Sequence, residues 1–186
     1  MEIMSPRICL IFVAVCLVGP VELTAVCDAS TKGNQDEDIS WANDLFAEAI
    51  VGKWSGTGTY EGNEMKLERS WTLELSGKFL RGDMKVLMAN DSSFRALTYW
   101  RKVASNRYEC TWMDEAGQSL SLKGLGDKDR QTIEVQHLST GPGGPPSWQR
   151  TVYKITGKDS YQEDIYRSTA AGWKLVAEFK FTRKRG

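Results

Sequence analysis

From Lys53 to Lys184 the apolar side chains recur at every second position, in short runs broken by turn residues. No other feature restricts the fold as much, because a period of two puts alternate side chains on opposite faces of a strand. The runs fall near 53–61, 64–75, 78–88, 93–103, 106–114, 118–126, 130–139, 147–156, 159–168 and 172–184. Between them stand Glu61-Gly62-Asn63, Ser76-Gly77, Ala89-Asn90-Asp91, Ser105-Asn106, Glu115-Ala116-Gly117, Gly157-Lys158 and Ala171-Gly172, all rich in turn formers. Links this short join antiparallel neighbours, since a parallel pair needs a long crossover. The expectation is an all-β domain of roughly ten antiparallel strands, closed into a barrel or packed as a sandwich. The longest link, Gly141-Pro142-Gly143-Gly144-Pro145-Pro146, is too rich in breakers for a strand and reads as an Ω-type rim loop or a disordered insertion.

The same alternation assigns faces. Met65, Leu67, Arg69, Trp71, Leu73 and Leu75 lie together, opposite Lys66, Glu68, Ser70, Thr72 and Glu74. In the last run Trp173, Leu175, Ala177, Phe179 and Phe181 oppose Lys174, Glu178, Lys180 and Thr182. One core face and one wet face suit an antiparallel sheet. Gly56 and Gly58 share a face with Trp54 and Tyr60, which leaves room there for bulky neighbours or a sharp bend. Upstream, Trp41, Leu45 and Ala49 recur every four residues beside Phe46 and Ile50. This predicts a short helix capped by Ser40 and ended by Gly52, its apolar stripe packed on a sheet end.

The N-terminus carries an export signal. Arg7 supplies the positive end, Ile8 to Val18 is unbroken apolar sequence, and Gly19-Pro20 closes it. That run is too short for a helix spanning a bilayer, which needs about 20 residues. Small residues allow cleavage after Ala25, Cys27 or Ala29, so residues 1–27 read as a signal peptide and 28–39 as a flexible polar leader before the domain at 40–186. The expected location is secreted or periplasmic; a lipid anchor on Cys27 is the alternative, although Thr24-Ala25-Val26-Cys27 fits a lipoprotein box poorly. No later segment is apolar enough to span a membrane. Removing Arg7, Glu2 and Glu22 leaves the mature chain at +1, which gives no electrostatic reason for a nucleic-acid partner. Arg183, Lys184 and Arg185 read as a solvated strand end. Of the four cysteines, Cys9 and Cys16 leave with the signal, so neither a disulfide scaffold nor a metal cluster is expected. Cys110 reads as a small buried side chain, bridged to Cys27 only if cleavage spares Cys27.

The sequence holds no G-x-S-x-G, H-E-x-x-H or P-loop motif. A single histidine, His137, removes most acid–base and metal mechanisms; on the face of Ile133 and Val135 it is an ordinary strand histidine or an axial haem ligand. Three charges interrupt apolar faces: Arg69 between Leu67 and Trp71, Arg150 between Trp148 and Val152, and Glu163 between Tyr161 and Ile165. A buried charge is costly unless paired, so these pair with each other, meet water at a rim, or hold a ligand. Trp54, Trp71, Trp112 and Arg150 are expected to line one interior, with Arg150 facing Glu163 across a hairpin. Three functions follow: a barrel binding a small apolar or amphipathic ligand without catalysis or cofactor, a hydrolase or isomerase using Glu163 or Asp114, or a structural domain with a filled core. The first is the expectation, with Trp54, Trp71, Trp112, Arg150 and Glu163 as ligand-binding residues.

Val51-Gly52-Lys53-Trp54-Ser55-Gly56-Thr57-Gly58 resembles the opening of calycin-like barrels, in particular a bacterial lipocalin-like barrel domain of unknown function. Gly77-Lys78-Phe79-Leu80-Arg81, Tyr108-Glu109-Cys110-Thr111-Trp112-Met113-Asp114 and Glu178-Phe179-Lys180-Phe181-Thr182-Arg183-Lys184 continue the likeness in order. It implies a roughly ten-stranded barrel with an internal cavity for a small apolar or amphipathic ligand. The opening is also distantly similar to nitrobindin-type haem barrels. Their haem-ligating histidine falls in a last-strand context that matches Lys174-Leu175-Val176-Ala177, where lysine stands instead. That departure argues against haem.

Overall fold

The computed structural model describes residues 39–88, 92–127, 131–139 and 146–185. The signal, almost all of the leader, Cys27, the Ala89-Asn90-Asp91 turn and most of the Gly/Pro-rich link therefore lie outside the described residues. A short helix, α1 (Leu45–Ile50), precedes ten strands. These are β1 (Gly52–Tyr60), β2 (Asn63–Glu74), β3 (Phe79–Met88), β4 (Ser93–Ala104) and β5 (Arg107–Asp114), then β6 (Ser119–Asp127), β7 (Thr132–Ser139), β8 (Ser147–Gly157), β9 (Ser160–Thr169) and β10 (Gly172–Arg183). Each strand pairs antiparallel with its sequence neighbours, and β10 returns to pair with β1, closing the barrel. Every expected strand forms, with ends moved by two residues at most.

Closure depends on small residues. Gly56 faces Phe181 across the β1–β10 ladder, and a Cβ on Gly56 would sit 2.5 Å from that ring. A Cβ on Gly58 would meet the Glu178 carbonyl and the Phe179 ring. The glycines thus admit the two phenylalanines that fill this side of the lumen. Gly82 does the same for Trp71, its partner in the β2–β3 ladder.

The lower end of the barrel is plugged. Asp44, not Ser40, caps α1: its Oδ1 accepts from Phe46 N and Ala47 N. Its Oδ2 accepts from Lys102 Nζ at 2.9 Å, both side chains being buried. Ser40 instead donates to the Gly77 carbonyl and accepts from Ala42 N. The stripe that packs inward is Phe46, Ala47 and Ile50, with Trp41 just before the helix; Leu45 points outward. Trp41 stacks on Tyr108 and donates to the Trp100 carbonyl. Arg183 clamps the far end of the plug. It donates to the carbonyls of Val51 and Ala49 at 2.6 Å and lies over the Trp54 ring. It is therefore a latch between the last strand and the helix rather than a purely solvated end, and Trp54 and Arg183 are ladder partners.

Face assignments change in the β2–β3 turn and in β10. Leu75 sits in the β2–β3 turn with φ of 48° and is largely exposed. In β10 the register slips between Leu175 and Ala177. A one-residue slip exchanges faces, so Ala177, Phe179 and Phe181 point inward while Trp173 and Leu175 pair with outward-facing positions of β9.

Candidate functional site

At mid-height the lumen holds a buried ion pair. Arg69 Nη1 donates to Glu163 Oε2 at 2.6 Å, with side-chain exposures of 3% and 6%. β2 and β9 are not ladder neighbours, so the bond crosses the interior past β1 and β10. Arg69 Nη2 lies 3.0 Å from the Met84 sulfur. The guanidinium is 5.1 Å from the Trp71 ring, 5.7 Å from Tyr153 and 5.8 Å from Phe181. Burial pushes the Glu163 carboxyl up, against the pull of Arg69 and the Tyr153 hydroxyl. Burial is the largest influence on Arg69 and opposes its charge, but Glu163 together with Tyr161 and Tyr153 outweighs it, so Arg69 stays a cation. Trp54, Tyr161, Trp100 and Trp71 pack edge-on or stacked around the pair. The lower half of the barrel is thus filled, and Glu163 is committed to Arg69.

The upper end differs. Just above the pair Leu67, Val86, Leu122 and Ala177 are still buried, and beyond them the inward residues Met65, Phe94, Trp112, Leu120, His137, Gln149 and Arg167 are only partly buried. Met65, Phe94, Trp112 and Leu120 form an apolar wall on β2, β4, β5 and β6, with Phe94 and Trp112 stacked at 6.0 Å. On the other wall, ladder partners His137, Gln149, Arg167 and Lys174 follow one another across β7, β8, β9 and β10. Nδ1 of His137 is buried and has no hydrogen-bond partner, and burial holds this imidazole below its ordinary pKa. Arg167 donates to Glu61 Oε1 and to the Tyr60 hydroxyl. Asp114 accepts from Gln118 N within its own turn. The β6–β7 ladder ends at Lys123 and Gln136, leaving Ser119–Leu122 and His137–Ser139 outside it. On the outer face of β5–β9, lined by Lys123, Glu134, Val152 and Tyr166 among others, runs an open groove of about 1510 Å³ that reaches His137; it is not part of the lumen.

Of the residues singled out from sequence, Trp54, Trp71 and Glu163 meet around the buried pair, and Trp112 lies higher on the apolar wall. Arg150 does not join them. Its strand turns Gln149, Thr151, Tyr153 and Ile155 inward, so Arg150 lies on the outer face, 4.6 Å from Tyr166 and 4.9 Å from Trp173. Its carboxylate neighbour is Glu134 at 3.8 Å, and the partner expected for it, Glu163, belongs to Arg69. The face was misassigned because β8 carries apolar Trp148 and Val152 outside and polar Gln149 and Thr151 inside. Lys102, which pairs with Asp44, had been overlooked. Its signal was the one that marked Arg69: a charge in step with Thr98 and Trp100 on a buried face. Tyr153 carried no such signal, being one aromatic among many.

A ten-stranded antiparallel meander closed on itself, plugged at one end by a helix, is a calycin-like barrel. Solved structures agree. Rv2717c from M. tuberculosis superposes with a TM-score of 0.60 at 15% identity, covering 74% of this chain and 94% of that one. The S-type phycobiliprotein lyase CPES from Guillardia theta gives 0.57 at 11% identity, covering 82% and 99%. Likeness at these identities is one of fold. No protein-family model and no curated protein matches the chain. Among the described residues no helix is long and apolar enough to cross a membrane.

Proposed function

We propose that this is an exported, non-catalytic binding protein that holds a small apolar or amphipathic molecule in the upper half of its barrel. The observation that carries the reading is the contrast between the two ends. Below, α1, Trp41 and the ion pair fill the lumen. Above, Phe94, Trp112 and Leu120 pack on the core yet keep part of their apolar surface uncovered. A concave, mostly apolar surface with a few convergent polar groups is the usual form of a small-molecule site. Burying one such aromatic face against a ligand is worth roughly 1–3 kcal/mol at about 25 cal/mol per Å². A hydrolase or isomerase reading draws no support from Glu163, which its arginine already engages.

Native mass spectrometry of protein purified from its natural host tests the reading, together with titration of N-phenylnaphthylamine followed by its fluorescence. A bound mass, or saturable probe binding weakened by Trp112→Ala, is expected. No bound mass and no saturable binding would overturn it. Export is tested separately by N-terminal sequencing of secreted protein. A start between residues 26 and 30 is expected, and Met1 retained in a membrane fraction would refute it.

A further inference from the structure

The polar wall of the upper lumen has an order that the binding reading alone does not require. His137, Gln149, Arg167 and Lys174 are consecutive ladder partners on four adjacent strands; the first three are partly buried on the inward face, and Lys174, exposed, stands at the rim. At the usual strand spacing they form an arc about 14 Å long. Every member of the arc can donate a hydrogen bond, and Arg167 and Lys174 are cations. Opposite them stands the apolar wall of Met65, Phe94, Trp112 and Leu120.

Resting on the reading above, we infer that the ligand is an amphipathic anion, its oxyanion head on the Arg167 arc and its apolar body on the Phe94–Trp112 wall. Two features favour a head in this place. His137 Nδ1 is buried without a partner, so a bound oxygen would satisfy a group that the protein leaves unpaired. Among the described residues Arg167 bonds to Glu61 and Tyr60, and the side chains of its ion pair with Glu61 are 34% and 45% exposed. Such pairs contribute little and exchange readily for a better-placed anion. A guanidinium with a planar donor edge also suits a two-oxygen head. The acidic groups nearby do not close the arc: Glu61 sits on its turn, and Asp114 lies on the opposite wall, bonded to its own turn.

The test compares dansyl-undecanoic acid with its methyl ester, which has the same body and no charge. Both should bind the wild-type protein, the acid about tenfold or more tightly. Arg167→Gln should remove most of that preference and leave the ester unchanged. Glu61→Gln, which frees the guanidinium, should tighten the acid by several-fold; it and Lys174→Gln alter exposed side chains and serve if Arg167→Gln does not fold. Equal affinity for acid and ester would overturn the anionic head while leaving the binding reading intact. Failure of both probes to bind would overturn the binding reading and this inference with it. A preference for the acid that is abolished by Arg150→Gln but not by Arg167→Gln would place the head on the outer face and refute the assignment.

Discussion

Replacing Arg69 by Met, Glu163 by Leu, and then both, tests how the centre of the barrel is held. Each side chain is nearly inaccessible and lies among aromatic rings. Removing one partner strands the other in an apolar setting, at about 3–5 kcal/mol, whereas removing both leaves a volume-matched apolar core and is often close to neutral. The two single changes should differ. A stranded carboxyl takes up a proton and becomes neutral, and burial already pushes Glu163 in that direction. A stranded guanidinium has no such escape. Glu163→Leu should therefore be the more damaging change at neutral pH. Arg69→Met should recover on acidification: once Glu163 stays protonated in the fold, the unfolded chain alone releases its proton as pH climbs past about 4.3, so the deficit grows upward from there and shrinks below it. Urea unfolding followed by tryptophan fluorescence, at pH 4 and pH 7, reads all of this; equal m-values would show that the unfolded state is unchanged. Single losses that simply add in the double variant, or a Glu163→Leu loss below about 1 kcal/mol, would show that the pair does not act as a buried unit.

Three further expectations follow from other parts of the barrel. Gly58→Ala should lower stability by about 1–3 kcal/mol or more, because its Cβ would strike the Glu178 carbonyl and force β1 from β10; an unchanged thermal midpoint would contradict the closure geometry. Cys110 should ignore Ellman's reagent in the native state and react once urea unfolds the chain, because it is buried and burial pushes its thiol up; equal rates in both states would refute this. His137 should titrate by NMR below its ordinary value of 6.5, so the unfolded chain binds the proton first and stability declines as pH falls through that region; a midpoint at or above 6.5 would place the ring in water.

The strand ladder was legible because turn residues punctuate it and the period of two is nearly unbroken, so pairing between sequence neighbours followed directly. What escaped was information that alternation does not carry. The slip at Val176 turns Trp173 outward, and no local residue type announces it. On β8, inward Gln149 and Thr151 are more polar than outward Trp148 and Val152, so the pattern pointed the wrong way and took Arg150 with it. Arg69 and Glu163 were each marked as charges on apolar faces, but their partnership spans the lumen between strands that are not ladder neighbours. The helix cap moved from Ser40 to Asp44 because Asp44 also neutralises Lys102, a tertiary demand that a local capping rule does not see.

The ladder that seals the barrel joins its first strand to its last: Trp54 opposite Arg183, about 130 residues later in the chain. Every other ladder links neighbours and can zip locally, but this one must bring together segments separated by almost the whole domain, which makes it the slowest kind of contact to form. Until β10 arrives, β1 and β9 each present a bare edge, and the Arg183 latch that braces the helical plug does not yet exist. The molecule thus gains its floor and its final seam together. Its most aggregation-exposed moment comes just before completion, with nine strands laid down and two free edges awaiting the tenth.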